Sequence, residues 1–250
     1  MPPWTDVCIV TAVVLVALAP MTASFLHCWA DRARDEPGKG IPQGRSTCDS
    51  CGKTLGTRDL IPILGWLWNR GKARCCGAEI HPRLLHSELL ILLVSIWGVL
   101  VVPWSLAVPT LLLASGLQAV VLLTGPSPRA ARGFAAALTI LGLVVVGLYF
   151  NDRLLIHAGA TLLGLALWLA ARLQRTLATD ALFLLLPAGA FTGFAGLAIT
   201  GFVAIPVALV FQAVKPMLYP EHLRRPVMPG EAVVFGLAAS LWVVWLYFVL

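Results

Sequence analysis

Four cysteines in a short polar stretch carry the clearest chemical signal of this sequence. Cys48 and Cys51 are separated by two residues and followed by a glycine, and Cys75 and Cys76 precede a second glycine. A Cys-x-x-Cys-Gly pattern is typical of a zinc knuckle, because two thiolates at this spacing reach one tetrahedral ion. Two knuckles brought together predict a structural site of four thiolates, which can fold a loop too small to bury its own core.

The second knuckle departs from the regular spacing. Counting back from Cys76, the expected first ligand falls on Ala73, and Cys75 lies directly beside Cys76 instead. We expect adjacent cysteines to bind one ion only with strained geometry. Three interpretations therefore stay open: four thiolates around a structural zinc ion, three thiolates with His81 or His86, and free thiols in a module that has lost its metal.

The rest of the chain is strongly apolar and must place this stretch beside a membrane. Of its residues 59% are hydrophobic and 12% are charged, and the mean hydropathy is +0.87. Such values predict an integral membrane protein. The N-terminus lacks the basic start of a cleavable signal peptide, so we expect its first apolar run to be a retained helix.

Apolar runs of about 17 to 21 residues predict an all-α polytopic membrane protein with about eight transmembrane helices. The predicted ranges are 7–28, 84–102, 105–124, 133–150, 154–171, 180–199, 201–217 and 231–249. The sixth and seventh are separated only near Thr200-Gly201, so they could instead form one bent unit or a re-entrant pair. We expect three parts: a first transmembrane helix at 1–30, a cytoplasmic cysteine-containing module at 31–83, and a seven-helix membrane domain at 84–250.

The basic residues predict how the chain is oriented. Seventeen of the eighteen Lys and Arg fall in the loops 30–83, 125–132, 172–179 and 215–230, and only Arg153 lies on the other face. Because basic loops stay in the cytoplasm, residues 31–83 are expected there and both termini outside. This placement explains the net charge of +6. The predicted partner is therefore the lipid bilayer and not a nucleic acid.

Several short motifs resemble the type IV prepilin leader peptidase/N-methyltransferase family. They are, in order, Ala23-Ser24-Phe25-Leu26-His27, Cys48-Asp49-Ser50-Cys51-Gly52, Arg58-Asp59-Leu60-Ile61-Pro62, Arg70-Gly71, Cys76-Gly77-Ala78-Glu79-Ile80, His81-Pro82-Arg83, Ser87-Glu88-Leu89 and Pro226-Val227-Met228-Pro229-Gly230. The resemblance is specific over residues 23–90 and weaker beyond. It implies an intramembrane aspartic endopeptidase of the bacterial inner membrane. Its partners would be prepilin-like single-helix membrane proteins and a pilus or type II secretion machine, and it would use S-adenosylmethionine only if the methyltransferase activity is retained.

The resemblance also implies two catalytic aspartates, one acting as base and the other as acid. Asp180 matches the second position, although both glycines of the surrounding motif are replaced. The first aspartate is expected near Thr124, yet no acidic residue occurs between residues 89 and 151. Glu88 and Glu231 begin predicted helices on the same face and are the candidate partners for Asp180. Asp180 could equally cap the start of a helix.

Three functions follow from these residues. The favoured one is a prepilin-peptidase-like membrane protein with an incomplete aspartyl dyad, a pseudoenzyme in pilus or secretion assembly. The alternative is an active prepilin peptidase that uses Asp180 with a non-standard partner. A transporter or channel is disfavoured, because the predicted helices contain almost no polar or ionisable residues to line a path.

Overall fold

The computed structural model describes residues 6–35, 44–173, 182–214 and 229–249, and these residues are predominantly helical. The helices are α1 (Asp6–Asp35), α2 (Leu64–Trp68), α3 (Arg83–Val101), α4 (Trp104–Leu123), α5 (Pro128–Tyr149), α6 (Leu154–Leu173), α7 (Leu185–Val214) and α8 (Pro229–Val249). Short 3-10 turns lie at Thr57–Leu60, Asn151–Arg153 and Leu182–Leu184. Within the described ranges, strand-like pairing is limited to two isolated bridges, both in the loop before α3.

Six helical stretches are long and apolar enough to cross a membrane. They are Arg83–Val101, Ser105–Leu123, Pro128–Tyr149, Asn151–Leu173, Leu182–Val214 and Ala232–Val249, with mean hydropathies of 1.9 to 2.3. Helix α1 adds thirty residues to this set of long helices and carries Pro20 inside it. The prediction of an all-α polytopic membrane protein is confirmed, with the bilayer as its surroundings.

The predicted sixth and seventh helices form one element. Helix α7 runs unbroken through Thr200 and Gly201, so the predicted separation at that point is wrong. The departure from helical geometry lies at Gly193, which has φ 65° and ψ −164°. Because side chains disfavour a positive φ, glycine is the residue suited to this kink. The arrangement is a single bent unit, one of the alternatives left open by the sequence.

A buried histidine lies against this kink. His157 of α6 is 2% exposed, and its Nδ1 lies 3.0 Å from the carbonyl oxygen of Ala190. A Cβ at Gly193 would lie 3.4 Å from its Nε2. The kink thus lies beside the His157 ring of α6.

The chain divides into two compact units, residues 1–101 and 102–250. In the first unit α1 packs along α3. In the second unit α7 is central and packs against α5, α6 and α8, while α4 contacts α5 and α8. The rings of Phe191 and Trp245 are both fully buried there and meet edge-on at 5.0 Å. The Trp245 Nε1–H donates a hydrogen bond to the Thr110 hydroxyl at 3.1 Å.

Helices α6 and α7 approach each other through small residues. A Cβ on Gly189 would lie 2.6 Å from the backbone carbonyl of Ala160, and one on Gly164 would lie 2.6 Å from that of Leu185. Membrane helices without a hydrophobic driving force rely on such backbone proximity for their association.

Gly189→Ala is expected to destabilise the second unit, because the added methyl group would have to push backbone apart. The cost should be about 1–3 kcal/mol, as for other overpacked sites. Gly201→Ala in the same helix is the matched control, since its Cβ would meet nothing within 4 Å. The control should be neutral or slightly stabilising through helix propensity. Thermal unfolding of the two variants in one detergent checks this, and equal midpoints would contradict it.

Candidate metal centre

The first cysteine pair lies on a tight hairpin turn. Thr47 and Thr54 form an isolated antiparallel bridge at its base. The Cys48 N–H donates to the Lys53 carbonyl at 2.9 Å, and the Gly52 N–H donates back to the Cys48 carbonyl at 2.8 Å. Gly52 has φ 69°, the left-handed conformation that glycine adopts at least cost. The glycine after the second cysteine therefore closes the knuckle.

The second cysteine pair lies on a turn of the same construction, twenty-five residues further on. Lys72 and Glu79 form its bridge. The Ala73 N–H donates to the Ala78 carbonyl and the Gly77 N–H donates to the Ala73 carbonyl, both at 2.7 Å. Gly77 has φ 74° and takes the position that Gly52 holds in the first turn. The two turns are thus a structural repeat.

The repeat shows which residue of the second turn occupies the position of Cys48. Ala73 stands where the first turn has Cys48, and both residues are 8% exposed. The fourth sulfur comes instead from Cys75, one residue before Cys76 in the same turn. The displaced cysteine reaches the same cluster from a different position in the turn.

The four sulfur atoms converge. All of the candidate ligand atoms of Cys48, Cys51, Cys75 and Cys76 lie within 4.8 Å of one another. Three of the Sγ–Sγ distances are 3.7 Å for Cys48–Cys76, 3.4 Å for Cys51–Cys75 and 3.9 Å for Cys75–Cys76. A tetrahedral ion with metal–sulfur bonds of about 2.3 Å separates its ligands by roughly 3.8 Å. The four cysteines could therefore hold one metal ion.

Two details differ from the sequence-based interpretation. The adjacency of Cys75 and Cys76, expected to strain the site, leaves their sulfur atoms at a suitable separation. His81 and His86 do not belong to the cluster found among the described residues. The His81 Nδ1 instead accepts a hydrogen bond from the Arg83 N–H at 3.1 Å, at the start of α3.

The thiols differ in how readily they ionise. Backbone N–H groups of Cys51 and Ser50 lower the pKa of the Cys48 thiol to about 7. Hydrogen bonds with the side chains of Cys51 and Cys48 raise the pKa of the Cys75 thiol to about 12. The backbone donors thus favour the Cys48 thiolate, whereas hydrogen bonds within the sulfur cluster favour the protonated form of Cys75. Metal binding would remove these protons, because only thiolates are ligands.

An ion pair ties the second knuckle to the turn at Thr57–Leu60. The Asp59 carboxylate accepts hydrogen bonds from the Gly56 N–H at 3.1 Å, the Arg74 guanidinium at 2.9 Å and the Asn69 amide at 3.3 Å. Burial opposes ionisation of Asp59, but the Gly56 and Arg74 interactions outweigh it, so its pKa lies below the usual range. Arg74 lies between Ala73 and Cys75, so this pair holds the irregular part of the turn.

A buried carboxyl group joins the module to α3. Glu88 is 2% exposed, and its Oε2 accepts a hydrogen bond from the Ile63 N–H at 2.6 Å. Ser24 of α1 also hydrogen-bonds to this carboxyl group. Ile63 has φ 63° and ψ −57°, and the Leu64 N–H donates to the Pro62 carbonyl across it. This strained γ-turn costs on the order of 1–3 kcal/mol and needs such support.

The remaining predicted site residues either lie apart from the metal cluster or fall outside the residues that the structure describes. Asp180 is outside the described residues, as is the side chain of Glu231. The sequence suggested Glu88 only as a partner for Asp180, and no signal in the sequence pointed to its contact with Ile63. Whether Glu88 also serves Asp180 stays a prediction.

Thr124, near which the resemblance implies the first aspartate, lies in the part of the chain that the structure describes. Thr124 follows α4, and its hydroxyl donates to the Val120 carbonyl at 2.6 Å. It lines a small depression together with Arg132 and Phe183. Phe183 follows Asp180 by three residues in the chain. Within the part of the chain that the structure describes, the lining residues of this depression include no carboxylate.

The helices and the cysteine cluster together define a multi-pass membrane protein with a polar module that could bind a metal ion. Residues 17–102 match the bacterial peptidase A24 N-terminal domain. This match covers about a third of the chain.

Part of the chain is also similar to several curated proteins. The chain is 38% identical over 73 residues to a prepilin leader peptidase/N-methyltransferase of Dickeya chrysanthemi. The matched region covers 25% of this chain and 25% of the relative. It is 43% identical over 67 residues to a type 4 prepilin-like proteins leader peptide-processing enzyme of Escherichia coli, covering 26% of this chain and 25% of the relative. A Myxococcus xanthus prepilin leader peptidase/N-methyltransferase is 38% identical over 79 residues, covering 32% and 23%. The chain therefore matches about a quarter of the length of these relatives. No solved structure matches.

Cys75→Ser is expected to abolish stable metal binding, because three thiolates would remain. Ala73→Cys combined with Cys75→Ser should restore it, since the repeat places residue 73 where Cys48 lies in the first turn. Cys28→Ser in α1 is the control and should keep about one ion per chain. The metal content of the purified proteins, measured by mass spectrometry, tests this expectation. Full metal content in the Cys75→Ser protein would contradict the assignment of the fourth ligand.

Glu88→Ala is expected to destabilise the first unit by about 1–3 kcal/mol, because it leaves the Ile63 N–H without its acceptor. Glu88→Gln keeps an amide oxygen at nearly the same place and should lose less. Unfolding in denaturant, followed separately by metal release and by helix content, measures both effects. Equal stabilities for the two variants would show that the hydrogen bond contributes nothing.

Proposed function

We propose that this protein is a prepilin-peptidase-like protein of the bacterial inner membrane that has an incomplete aspartyl dyad. In this role it binds prepilin-like single-helix membrane proteins without cleaving them and takes part in the assembly of a pilus or secretion machine. The observation that carries the proposal is the absence of any acidic residue between residues 89 and 151, the stretch that should supply the first aspartate.

The surroundings of Thr124 support the proposal. Its hydroxyl is used in a hydrogen bond to the Val120 carbonyl. A threonine hydroxyl does not hold a proton at a pKa suited to general acid or base catalysis. Arg132 lines the same depression and adds a positive charge where the resemblance would place a carboxylate. Among the described residues that line the depression, none could act as a carboxylate base toward a bound water molecule.

The alternative is an active peptidase that pairs Asp180 with Glu88 or Glu231. The described contacts of Glu88 favour a structural role for it, because its carboxyl group is occupied by Ile63 and Ser24. An active enzyme would therefore depend chiefly on Glu231 for its second carboxylate. Methylation of a new N-terminus with S-adenosylmethionine would follow only from such cleavage.

The ion proposed for the cysteine cluster is zinc. Four thiolates in tetrahedral arrangement are typical of structural zinc sites, and a site with four protein ligands leaves no position for a reacting water molecule. Zinc would thus stabilise the module and take no part in peptide chemistry.

The module is proposed to lie in the cytoplasm, because residues 31–83 hold ten of the eighteen basic residues. This placement does not depend on the count of later spans. If α7 crosses the membrane once, Lys215, Arg224 and Arg225 move to the face of Arg153, and the C-terminus moves to the cytoplasmic face. Fourteen of the eighteen basic residues then still share the face of the module.

The test is cleavage of type IV prepilin precursors co-expressed with the protein. The proposal expects no leader removal by the wild-type protein or by Asp180→Asn, because one carboxylate cannot be acid and base at once. It also expects both proteins to co-purify equally with the uncut precursor. The Aeromonas hydrophila relative, a prepilin leader peptidase/N-methyltransferase, serves as the positive control for the assay.

Two results would overturn the proposal in different ways. Cleavage by the wild type that is lost in Asp180→Asn would establish the active alternative. Failure of the wild type to retain any precursor, in an assay where the control enzyme cleaves it, would remove the binding role as well.

A further inference from the structure

A group of exposed apolar side chains stands out in the otherwise polar module. They are Leu60, Ile61, Leu64, Leu67 and Trp68, each between 41% and 51% exposed. All five fall within nine consecutive residues, here called the 60–68 segment, which lies outside the membrane-spanning helices. Exposed apolar side chains are ordinary on a membrane span but mark an interaction surface on a polar module.

Three of these side chains share one face of α2. Leu64, Leu67 and Trp68 stand at positions i, i+3 and i+4, so they project from the same side of this short helix. Gly65, which lies outside this face, is buried, and a Cβ there would lie 2.7 Å from the Asp59 carbonyl. Helix α2 therefore packs on the module through Gly65 and presents its apolar face outward.

The depth of α3 in the membrane can be fixed from its length. It has nineteen residues, which span about 28 Å at 1.5 Å per residue. A bilayer's hydrocarbon core is about 30 Å thick. The whole helix is needed to cross it, so the first turn, beginning at Arg83, must lie at the edge of the hydrocarbon.

Two hydrogen bonds hold the 60–68 segment at that level. The Ile63 N–H donates to Glu88 Oε2, and Glu88 is in the second turn of α3. Helical side chains lean toward the N-terminus, so its carboxyl group lies near the level of the first turn. The Trp66 Nε1–H lies 3.4 Å from the carbonyl oxygen of Ile80, three residues before the helix. The segment is thus tied to the end of a membrane span.

The charges around the patch suit a lipid surface. The Arg58 guanidinium lies 5.3 Å from the centre of the Trp68 ring, and Arg70 is exposed just beyond α2. Asp59 is paired with Arg74, so it does not repel anionic headgroups. Tryptophan and arginine together are typical of the membrane–water interface, where rings and guanidinium groups meet both environments.

We propose that the 60–68 segment is a membrane-interfacial element. Leu64, Leu67 and Trp68 insert between phospholipid headgroups, in the leaflet where α3 begins, while the knuckles remain in water. The bilayer is the partner that covers this patch. The segment then anchors the metal module at a fixed height above the membrane, independently of any peptidase activity.

The experiment measures the depth of a nitroxide at Leu67 in the full-length protein in nanodiscs containing anionic lipid. A ketone-bearing amino acid carries the label, so the cysteines remain untouched. Collision with oxygen, which concentrates in lipid, is compared with collision with a water-soluble nickel chelate. Leu93 of α3, 62% exposed, is the lipid control, and Lys53 in the first knuckle, also exposed, is the water control.

The oxygen-to-nickel ratio at Leu67 is expected to lie several-fold above that at Lys53 and below that at Leu93, which is near the middle of α3 and therefore deeper in the bilayer. A ratio equal to that at Lys53 would overturn the proposal, because the patch would face water. Low accessibility to both reagents would also overturn it, because protein would cover the patch.

Tryptophan quenching gives a second measurement that needs no label. The emission lost in Trp68→Phe isolates the contribution of Trp68. Lipids brominated near the headgroup should quench that contribution strongly and lipids brominated near the chain ends only weakly. Lack of quenching by either lipid would contradict the proposal.

Discussion

The module between α1 and α3 has almost no hydrophobic core, and its structure depends on four sulfur atoms. Among the described residues 44–82, only Cys48, Gly65, Gly71 and Ala73 are buried. Apolar burial of that size cannot offset the conformational entropy of ordering such a loop. Convergence of the thiols joins two turns that are twenty-five residues apart, and a bound ion would convert that contact into bonds.

A cluster of metal ligands and an aspartyl dyad differ in how strictly they fix the positions of their residues. The N-terminal third matches the peptidase A24 N-terminal domain, and its four cysteines converge although Cys75 does not take the place in its turn that Cys48 has in the first. A metal site tolerates such a move because it requires only that a sulfur atom reach one point. An aspartyl dyad is less tolerant, because two carboxyl groups must share a proton at close range. The sequence has no acidic residue between residues 89 and 151, where the resemblance implies the first aspartate.

Hydropathy predicted the fold class and most helix boundaries closely. The second predicted helix, 84–102, is observed as Arg83–Val101, and the fifth, 154–171, as Leu154–Leu173. The hydropathy-based prediction of a helix break near Gly201 is wrong for a physical reason. Gly193 and Gly201 look alike in sequence, but Gly193 lies against His157 in the fold, whereas a Cβ on Gly201 would meet nothing within 4 Å. Only packing distinguishes a glycine at a kink from a glycine inside a straight helix.

The sequence by itself determined that the chain enters a membrane, that its N-terminal part resembles prepilin peptidases, and that an expected acid is absent. These properties are local, because they depend on runs and short motifs. Tertiary structure alone decided that Cys75 completes the cluster in place of residue 73, and that Glu88 supports the Ile63 turn. Both are contacts between segments about twenty-five residues apart in the chain. Spacing along a sequence does not fix the distance between two side chains when a turn or a helix end intervenes.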